Sequence, residues 1–199
     1  WTAGALAGQR RDCRRGAGGP YCIMSISDIP PGRNPPHEVN AFIEIPQGGL
    51  PVKYELDQKS STLFVDRFLH TSMIYPSNYG FIPNTLGEDG DPLDILVVTP
   101  MPVVPGCFIR SRPIGVMLMD DEKGVDEKIL AVPIDALNPF YTDVKTHEDL
   151  PPLLVEQIGH FFSHYKDLEP GKGAVVGKWS TLEFAHERIM LAIERKRKA

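Results

Sequence analysis

Three carboxylates fall within six residues in Asp89-Gly90-Asp91-Pro92-Leu93-Asp94, ahead of an apolar run. Like charges at that density repel in a folded loop, so a compensating cation is expected. Oxygen ligands without His or Cys select hard cations such as Mg²⁺, Mn²⁺ or Ca²⁺. Gly90 permits a tight turn and Pro92 stiffens the exit. For a lone Asp-Gly-Asp, a solvated acidic turn is the plainer account. An EF-hand is excluded, because counting from Asp89 puts Asp94 where glycine is needed and Pro100 where the bidentate glutamate is needed.

Two observations weigh against the plain turn. Acidic residues recur at Asp120-Asp121-Glu122, followed by Asp126 and then Lys128. Alone this is an ordinary hairpin turn; with the first cluster it could complete a site for several metal ions. Cationic and phenolic donors also stand at strand-like spacings. Lys53 and Glu55 share a face, Arg67 follows an apolar run, and Tyr75 and Tyr79 flank Pro76-Ser77-Asn78. Such donors suit a polyanion whose charge is partly neutralised by metals.

These residues need strands to position them. Short β-like runs cover Ala41–Pro46, Val52–Asp57, Thr62–Val65, Leu93–Val98, Phe108–Met119 and Lys128–Val132, separated by Gly- and Pro-containing turns. Two helices follow late in the chain. Leu150, Leu153, Leu154, Ile158, Phe161, Phe162 and Tyr165 repeat at the helical period, with Thr146 to Asp149 as a cap. A second helix is expected from Ser180, with Glu183 closing a capping box and Leu182, Ala185, Ile189 and Ile193 as its buried stripe. Arg195 to Lys198 suit its negative end. Many strands followed by two helices predict an α+β, mainly β fold: a small closed barrel with helices packed outside.

The chain has 199 residues, 42% of them hydrophobic, which suits one sizeable core. Its best apolar stretch, Leu96 to Val104, is cut by Pro100 and Pro102, so no membrane span is expected. Cys13, Cys22 and Cys107 build neither a disulfide framework nor a zinc site, which fits a reducing, cytoplasmic setting. Residues 1–23 set four arginines against Asp12, a charge of +3; since the whole chain carries −5, the remainder carries −8. An acidic body argues against duplex nucleic acid as a partner. The Gly-, Ala- and Arg-rich stretch 1–23 is expected to be a disordered leader, artificial or from a misplaced start, with an organelle transit peptide as the sharper alternative. Residues 24–199 are expected to form a single domain.

The motifs together resemble the family I soluble inorganic pyrophosphatases of the bacterial type. Asp89 to Asp94 reads as that family's D-x-D-P-x-D signature. Phe42 to Pro46, Lys53-Tyr54-Glu55, Val65-Asp66-Arg67, Tyr75-Pro76 with Tyr79-Gly80, Asp121 to Lys128, and His164-Tyr165-Lys166 stand in the family's order at compatible spacing. The likeness spans roughly residues 25–195. It implies a five-stranded OB-like barrel and hydrolysis of pyrophosphate to two phosphates by direct in-line attack of water. Asp89, Asp94 and Asp126 would hold a metal pair, while Asp121 (with Asp126) and Glu44 would serve further ions. Several Mg²⁺ ions per site are implied, with Mn²⁺ or other divalent ions as substitutes. Asp91 would deprotonate the attacking water. Lys53, Arg67, Lys128, Tyr79, Tyr165 and Lys166 would grip phosphoryl oxygens, with Tyr79 also counted as catalytic. Glu55 and Tyr75 would support them, Tyr75 by orienting Asp91 or a neighbouring ligand. Bacterial members are mostly homohexamers built as paired trimers, so the same assembly is expected. The Gln47-Gly48-Gly49-Leu50 turn lacks the side chains some members use for an extra interfacial metal, and none is expected.

His160 and His164 are four apart, but Phe161 replaces the glutamate of a zinc-protease helix, and the resemblance suggests subunit contacts. Gly171-Lys172-Gly173 lacks the rest of a phosphate-binding loop and reads as a turn. Cys107 reads as a core residue. Two other functions compete: a non-catalytic OB-type module for single-stranded nucleic acid, which would want a basic groove, and a phosphohydrolase acting on nucleotides or phosphate esters. The acidic body opposes the first. No base- or sugar-recognition motif supports the second.

Overall fold

The computed structural model describes residues 25–121 and 124–199; the expected leader lies outside them. Among the described residues the strands are β1 (Val39–Ile45), β2 (Val52–Asp57), β3 (Thr62–Phe68), β4 (Asn78–Phe81), β5 (Asp94–Val97), β6 (Phe108–Asp121), β7 (Gly124–Val125), β8 (Lys128–Pro133) and β9 (Ala174–Ser180). The helices are α1 (Pro152–His164) and α2 (Leu182–Lys198). The fold is therefore mainly β with two helices, as its α+β class requires.

β1 is antiparallel to both β4 and β6, and β5 joins β4 (antiparallel) to β8 (parallel). Since β8 also pairs with β6, the pairings β1-β4-β5-β8-β6 return to β1. The long strand β6 also carries β9 and β7, with register shifts between Pro113 and Gly115 and between Met117 and Met119. Such bulges bend a strand and strengthen its twist, which lets β6 serve several neighbours in turn. β2 and β3 form a separate two-stranded sheet.

Alternation along the ring strands divides the core. Ile45, Leu96, Leu130, Val132, Met117 and Met119 pack with Ile158, Phe161 and Phe162 of α1. Ile43, Ile95, Val97, Ile129, Ala131 and Val116 pack with Ala185, Ile189 and Ile193 of α2. Both faces of these strands are thus covered, so they read as continuous apolar runs.

Several boundaries differ from expectation. β4 was not among the expected strands; Gly80 lets it approach β1 closely, since a Cβ there would lie 1.8 Å from the Phe42 carbonyl oxygen. β9 was not anticipated: Ala174 and Val176 pack on the core while Val175 is 70% exposed, an alternation that the apolar run Ala174-Val175-Val176 hides. Thr146 to Asp149 caps a short 3₁₀ turn, and α1 starts only at Pro152, whose fixed φ suits a first helical turn. Leu153, expected in the buried stripe, is 65% exposed. α2 is capped by Thr181, whose hydroxyl accepts from Phe184 N at 3.3 Å, because Ser180 is still in β9. Leu182 is only half-buried and Ala192 takes a place in the stripe. Cys107, expected in the core, is exposed. No helix of the described residues is long and apolar enough to cross a membrane.

Candidate active site

One cavity of about 490 Å³ opens where the ring, the β2–β3 ribbon and the end of α1 meet. The ring supplies Glu44 from β1, Tyr79 from β4, and Asp94 and Lys128 from the first positions of β5 and β8. Asp94 and Lys128 are partners in the parallel register, so the pairing itself sets them side by side. The loop between β4 and β5 supplies Asp89 and Asp91, the segment before β8 supplies Asp126, and the chain after α1 supplies Tyr165, Lys166 and Lys172.

Two irregularities aim the strand residues. In β1 the register shifts between Ile43 and Ile45, where Glu44 sits. In the ribbon Lys53 opposes Arg67 while Tyr54 opposes Val65, which leaves Asp66 as the extra residue. Neighbours on a regular strand face opposite ways, but a bulge re-aims them, and both Asp66 and Arg67 line the cavity. Arg67 was expected after its strand; it lies inside β3 because pairing with β2 continues to Phe68.

The acidic loop closes on itself. Asp89 Oδ1 accepts from Asp91 N at 3.1 Å, and Gly87 N donates to Asp91 O at 2.7 Å. Gly90 takes φ +91°, open to glycine at little cost. Thr85 pins the base, its hydroxyl donating to Ile82 O at 2.6 Å and accepting from Leu93 N at 2.9 Å.

Behind the loop, Lys128 is 2% exposed. Its Nζ donates to Asp94 Oδ2 at 2.6 Å and to Asp126 Oδ1 and Oδ2 at 2.9 and 3.0 Å. The ammonium lies 5.5 Å from the Tyr79 ring centre and 5.2 Å from that of Phe162. Burial would lower its pKa, but Asp94 and Asp126 outweigh burial and hold it above the ordinary lysine value. The Tyr79 hydroxyl donates to Asp94 Oδ2 at 2.5 Å. Burial, then the charges of Asp94 and Asp126, push its pKa up, so the phenol stays protonated. Burial likewise raises Tyr75, which packs against Tyr79 with ring centres 5.4 Å apart, and Tyr165.

On the ribbon Lys53 pairs with Glu55 and lies 3.5 Å from Asp66, which is 3.6 Å from Arg67 Nε. Burial would lower the Lys53 pKa, but Glu55 and Asp66 turn the net shift upward. Arg67 also reaches the buried Glu169 at 3.1 Å, and Lys172 reaches Glu169 at 3.2 Å. Glu44 accepts from Leu56 N at 2.7 Å. Burial, abetted by Asp94, pushes its carboxyl up to about 8.

All but one of the residues singled out from the sequence line this cavity: Glu44, Lys53, Glu55, Arg67, Tyr75, Tyr79, Asp89, Asp91, Asp94, Asp126, Lys128, Tyr165 and Lys166. The Asp121 side chain lies outside the described residues. Asp66, Gln58 and Lys172 line it too and were not singled out. Asp66 had a signal in the Val65-Asp66-Arg67 motif; Lys172, expected in a turn, closes one by donating its N–H to Glu169 O at 3.2 Å. His160 and His164 are elsewhere on α1, their ring centres 4.6 Å apart, with His164 Nδ1 2.9 Å from Asp167.

Among the described residues the lining holds seven carboxylates against five cations, so an anion gains little by entering alone. Divalent ions would reverse that balance. As the side chains stand, no three His, Cys, Asp or Glu among the described residues are close enough to hold an ion. The donors still fit a hard cation. They are all oxygens, Asp94 and Asp126 already converge within 3.0 Å of one positive charge, the Lys128 ammonium, and Glu44 is a buried carboxyl.

Residues 41–197 match the family model described as inorganic pyrophosphatase. An inorganic pyrophosphatase of Caulobacter vibrioides is 61% identical over 172 residues, 86% of this chain and 97% of that protein. The crystal structure of an inorganic phosphatase from Anaplasma phagocytophilum superposes with TM-score 0.84 at 50% identity, covering 85% of this chain and 99% of that one. The inorganic pyrophosphatase of Coxiella burnetii superposes with TM-score 0.82 at 47% identity, covering 84% and 99%.

Proposed function

Because the chain belongs to the inorganic pyrophosphatases, of the bacterial family I type, we propose that it hydrolyses pyrophosphate by in-line attack of water, with no covalent intermediate. The observation that carries this reading is the convergence of the acidic loop and Asp126 with Lys53, Arg67 and Lys166 on one cavity. Asp89, Asp94, Asp126, Glu44 and Asp121 would hold several Mg²⁺ ions, with Mn²⁺ or another divalent ion able to substitute. Mg²⁺, when bound, supplies charge neutralisation and acidifies water.

The chain's own residues do the rest. Asp91 accepts the proton of the attacking water as its oxygen bonds to one phosphorus. The bridging P–O bond breaks, and its electron pair leaves with the second phosphate. Lys53, Arg67, Lys128 and Lys166 offset the negative charge on the phosphoryl oxygens, and Tyr79 and Tyr165 donate hydrogen bonds to them. Before substrate enters, the single Tyr79 O–H and the Lys128 ammonium fix Asp94. Glu55 holds the Lys53 ammonium, and Tyr75 acts through its packing on Tyr79.

The same reading takes residues 24–199 as one domain and the circuit β1-β4-β5-β8-β6 as a small closed OB-like barrel. It includes a cytoplasmic setting, in line with the cysteine usage. It also includes a homohexamer of paired trimers, supported by exposed Leu153 and Ile74 beside His160 in an apolar groove.

Phosphate release from pyrophosphate and from ATP, each with and without chelator, tests the proposal. Release from pyrophosphate alone, abolished by chelator and restored by Mg²⁺, is the expected result. Equal turnover of ATP, or indifference to chelator, would overturn it.

A further inference from the structure

α2 contributes no side chain to the cavity, yet one of its residues grips both acidic segments from behind. Arg188 Nε donates to Glu127 Oε2 at 2.5 Å, and Nη2 donates to Glu88 Oε1 at 2.6 Å. Glu88 immediately precedes Asp89, and Glu127 immediately follows Asp126. The two carboxylates lie 100 and 61 positions from the arginine, so a single planar group ties distant parts of the chain.

The grip is built into the fold. The Arg188 side chain is 15% exposed and that of Glu127 is 8% exposed. The guanidinium carbon lies 5.8 Å from the Phe184 ring centre, one helical turn earlier, which fixes its height on α2. Arg195 Nη2 adds a second bond to Glu88 Oε1 at 2.8 Å, and Leu86 N donates to Ala192 O of α2 at 3.0 Å. Between the two acidic segments lies a void of only about 20 Å³, lined by Glu88, Asp89, Asp94, Asp126 and Glu127 among others. So many carboxylates repel one another. Lys128 answers that repulsion from the cavity side, and Arg188 answers it from the helix side. A lysine could offer a point charge but not two directed bonds from one rigid plane.

We propose that Arg188 is a positioning residue: its fork holds Glu88 and Glu127, and through them sets the spacing of Asp89 and Asp126 for divalent ions. This rests on the functional reading above. Groups that hydrogen-bond metal ligands govern affinity, and losing one typically costs about 10- to 100-fold; Arg188 acts one residue further out, so the lower end sets the scale.

The test titrates Mn²⁺ into the full chain without pyrophosphate, followed by electron paramagnetic resonance, beside the Mg²⁺ dependence of pyrophosphate hydrolysis. Arg188→Met and Arg188→Lys should both weaken Mn²⁺ binding by about 10-fold or more. The Mg²⁺ needed for half-maximal rate should rise in parallel, with kcat at saturating Mg²⁺ falling much less. Arg195→Ala, which removes only the second bond to Glu88, should have the smaller effect. Because Arg188→Met alone orphans a buried carboxylate, the Glu127→Gln/Arg188→Met double variant is the control for folding. It removes that charge, and a persisting loss of Mn²⁺ affinity supports positioning. Wild-type Mn²⁺ affinity in folded Arg188→Lys, or its full recovery in the double variant, would overturn the proposal. A wild-type protein that binds no Mn²⁺ and releases no phosphate would instead defeat the functional reading itself.

Discussion

Asp94 and Lys128 open strands covered on both faces, whereas Lys53, Glu55, Asp66 and Arg67 ride on a two-stranded ribbon outside the ring. On the ring side Lys128 and Tyr79 are buried, and the half-buried Asp94 is held by short bonds from both and by strand register. On the ribbon side β3 leaves Phe64, Val65 and Phe68 exposed, and apart from the close Lys53–Glu55 pair the charges meet at 3.1 to 3.6 Å. The contrast suggests a division of labour. Groups that must hold a distance to within fractions of an ångström are set in the core, and groups that follow a bound anion are set on a more yielding strand pair.

The largest loss is expected in the loop that leads from β4 into β5 of the ring. Asp91→Asn should leave the fold intact, since Asp91 is exposed in its loop, and cut turnover by about 10² or more. Circular dichroism with steady-state rates checks it, and near-normal kcat would remove Asp91 from proton transfer. Lys128→Met should lower turnover and also cost stability, by about 3 kcal/mol, because Asp94 and Asp126 lose a buried counter-charge. Chemical denaturation measures this, and a loss under 1 kcal/mol would mean that water screens the pair.

The ribbon should respond differently. Arg67→Lys keeps the charge but loses the fork, so KM for pyrophosphate should rise about tenfold while the denaturation midpoint hardly moves. A stability loss as large as that of Lys128→Met would erase the distinction between the two walls. The smallest effect is expected at the ribbon's turn. There Asp57 accepts from Ser60 Oγ at 2.6 Å and from Ser60 N at 3.0 Å. These bonds hold its carboxyl below the usual aspartate value. With the folded pKa depressed, the turn's contribution is present above the unfolded pKa and is lost as pH falls through the folded one. Amide shifts of Lys59 and Ser60 should therefore titrate below about pH 4 in the wild type and not in Asp57→Asn. A titration spreading into β5 or β8 would show ribbon and ring to be one unit.

Charge and spacing singled out most of the polar residues that line the cavity, and the family resemblance added Glu44, Tyr165 and Lys166. The acidic loop, the Lys53/Glu55 face and the tyrosines are local patterns, and local patterns survive folding. What escaped depended on partners far along the chain. Asp66 joins the cavity through a bulge defined by β2, which the Thr62 to Phe68 run cannot reveal alone. β4 was hidden because Asn78 and Gly80 carry turn propensity, while three-dimensional context uses that glycine for close strand approach. Lys172 lies near the cavity because Glu169, buried after α1, draws it inward. Leu153 fits the helical period yet is exposed, so periodicity identifies an apolar face without saying what covers it.

The parallel pairing of β5 with β8 also gives the molecule a timetable. Asp94 and Lys128 are 34 positions apart, with all of β6 between them, so no hairpin can bring them together early. Closing so long a segment costs entropy before the pairing returns any free energy, and non-local strand pairings form late for that reason. Hydrolytic competence in a refolding chain should lag behind the appearance of secondary structure, and a fragment ending before β8 should have none.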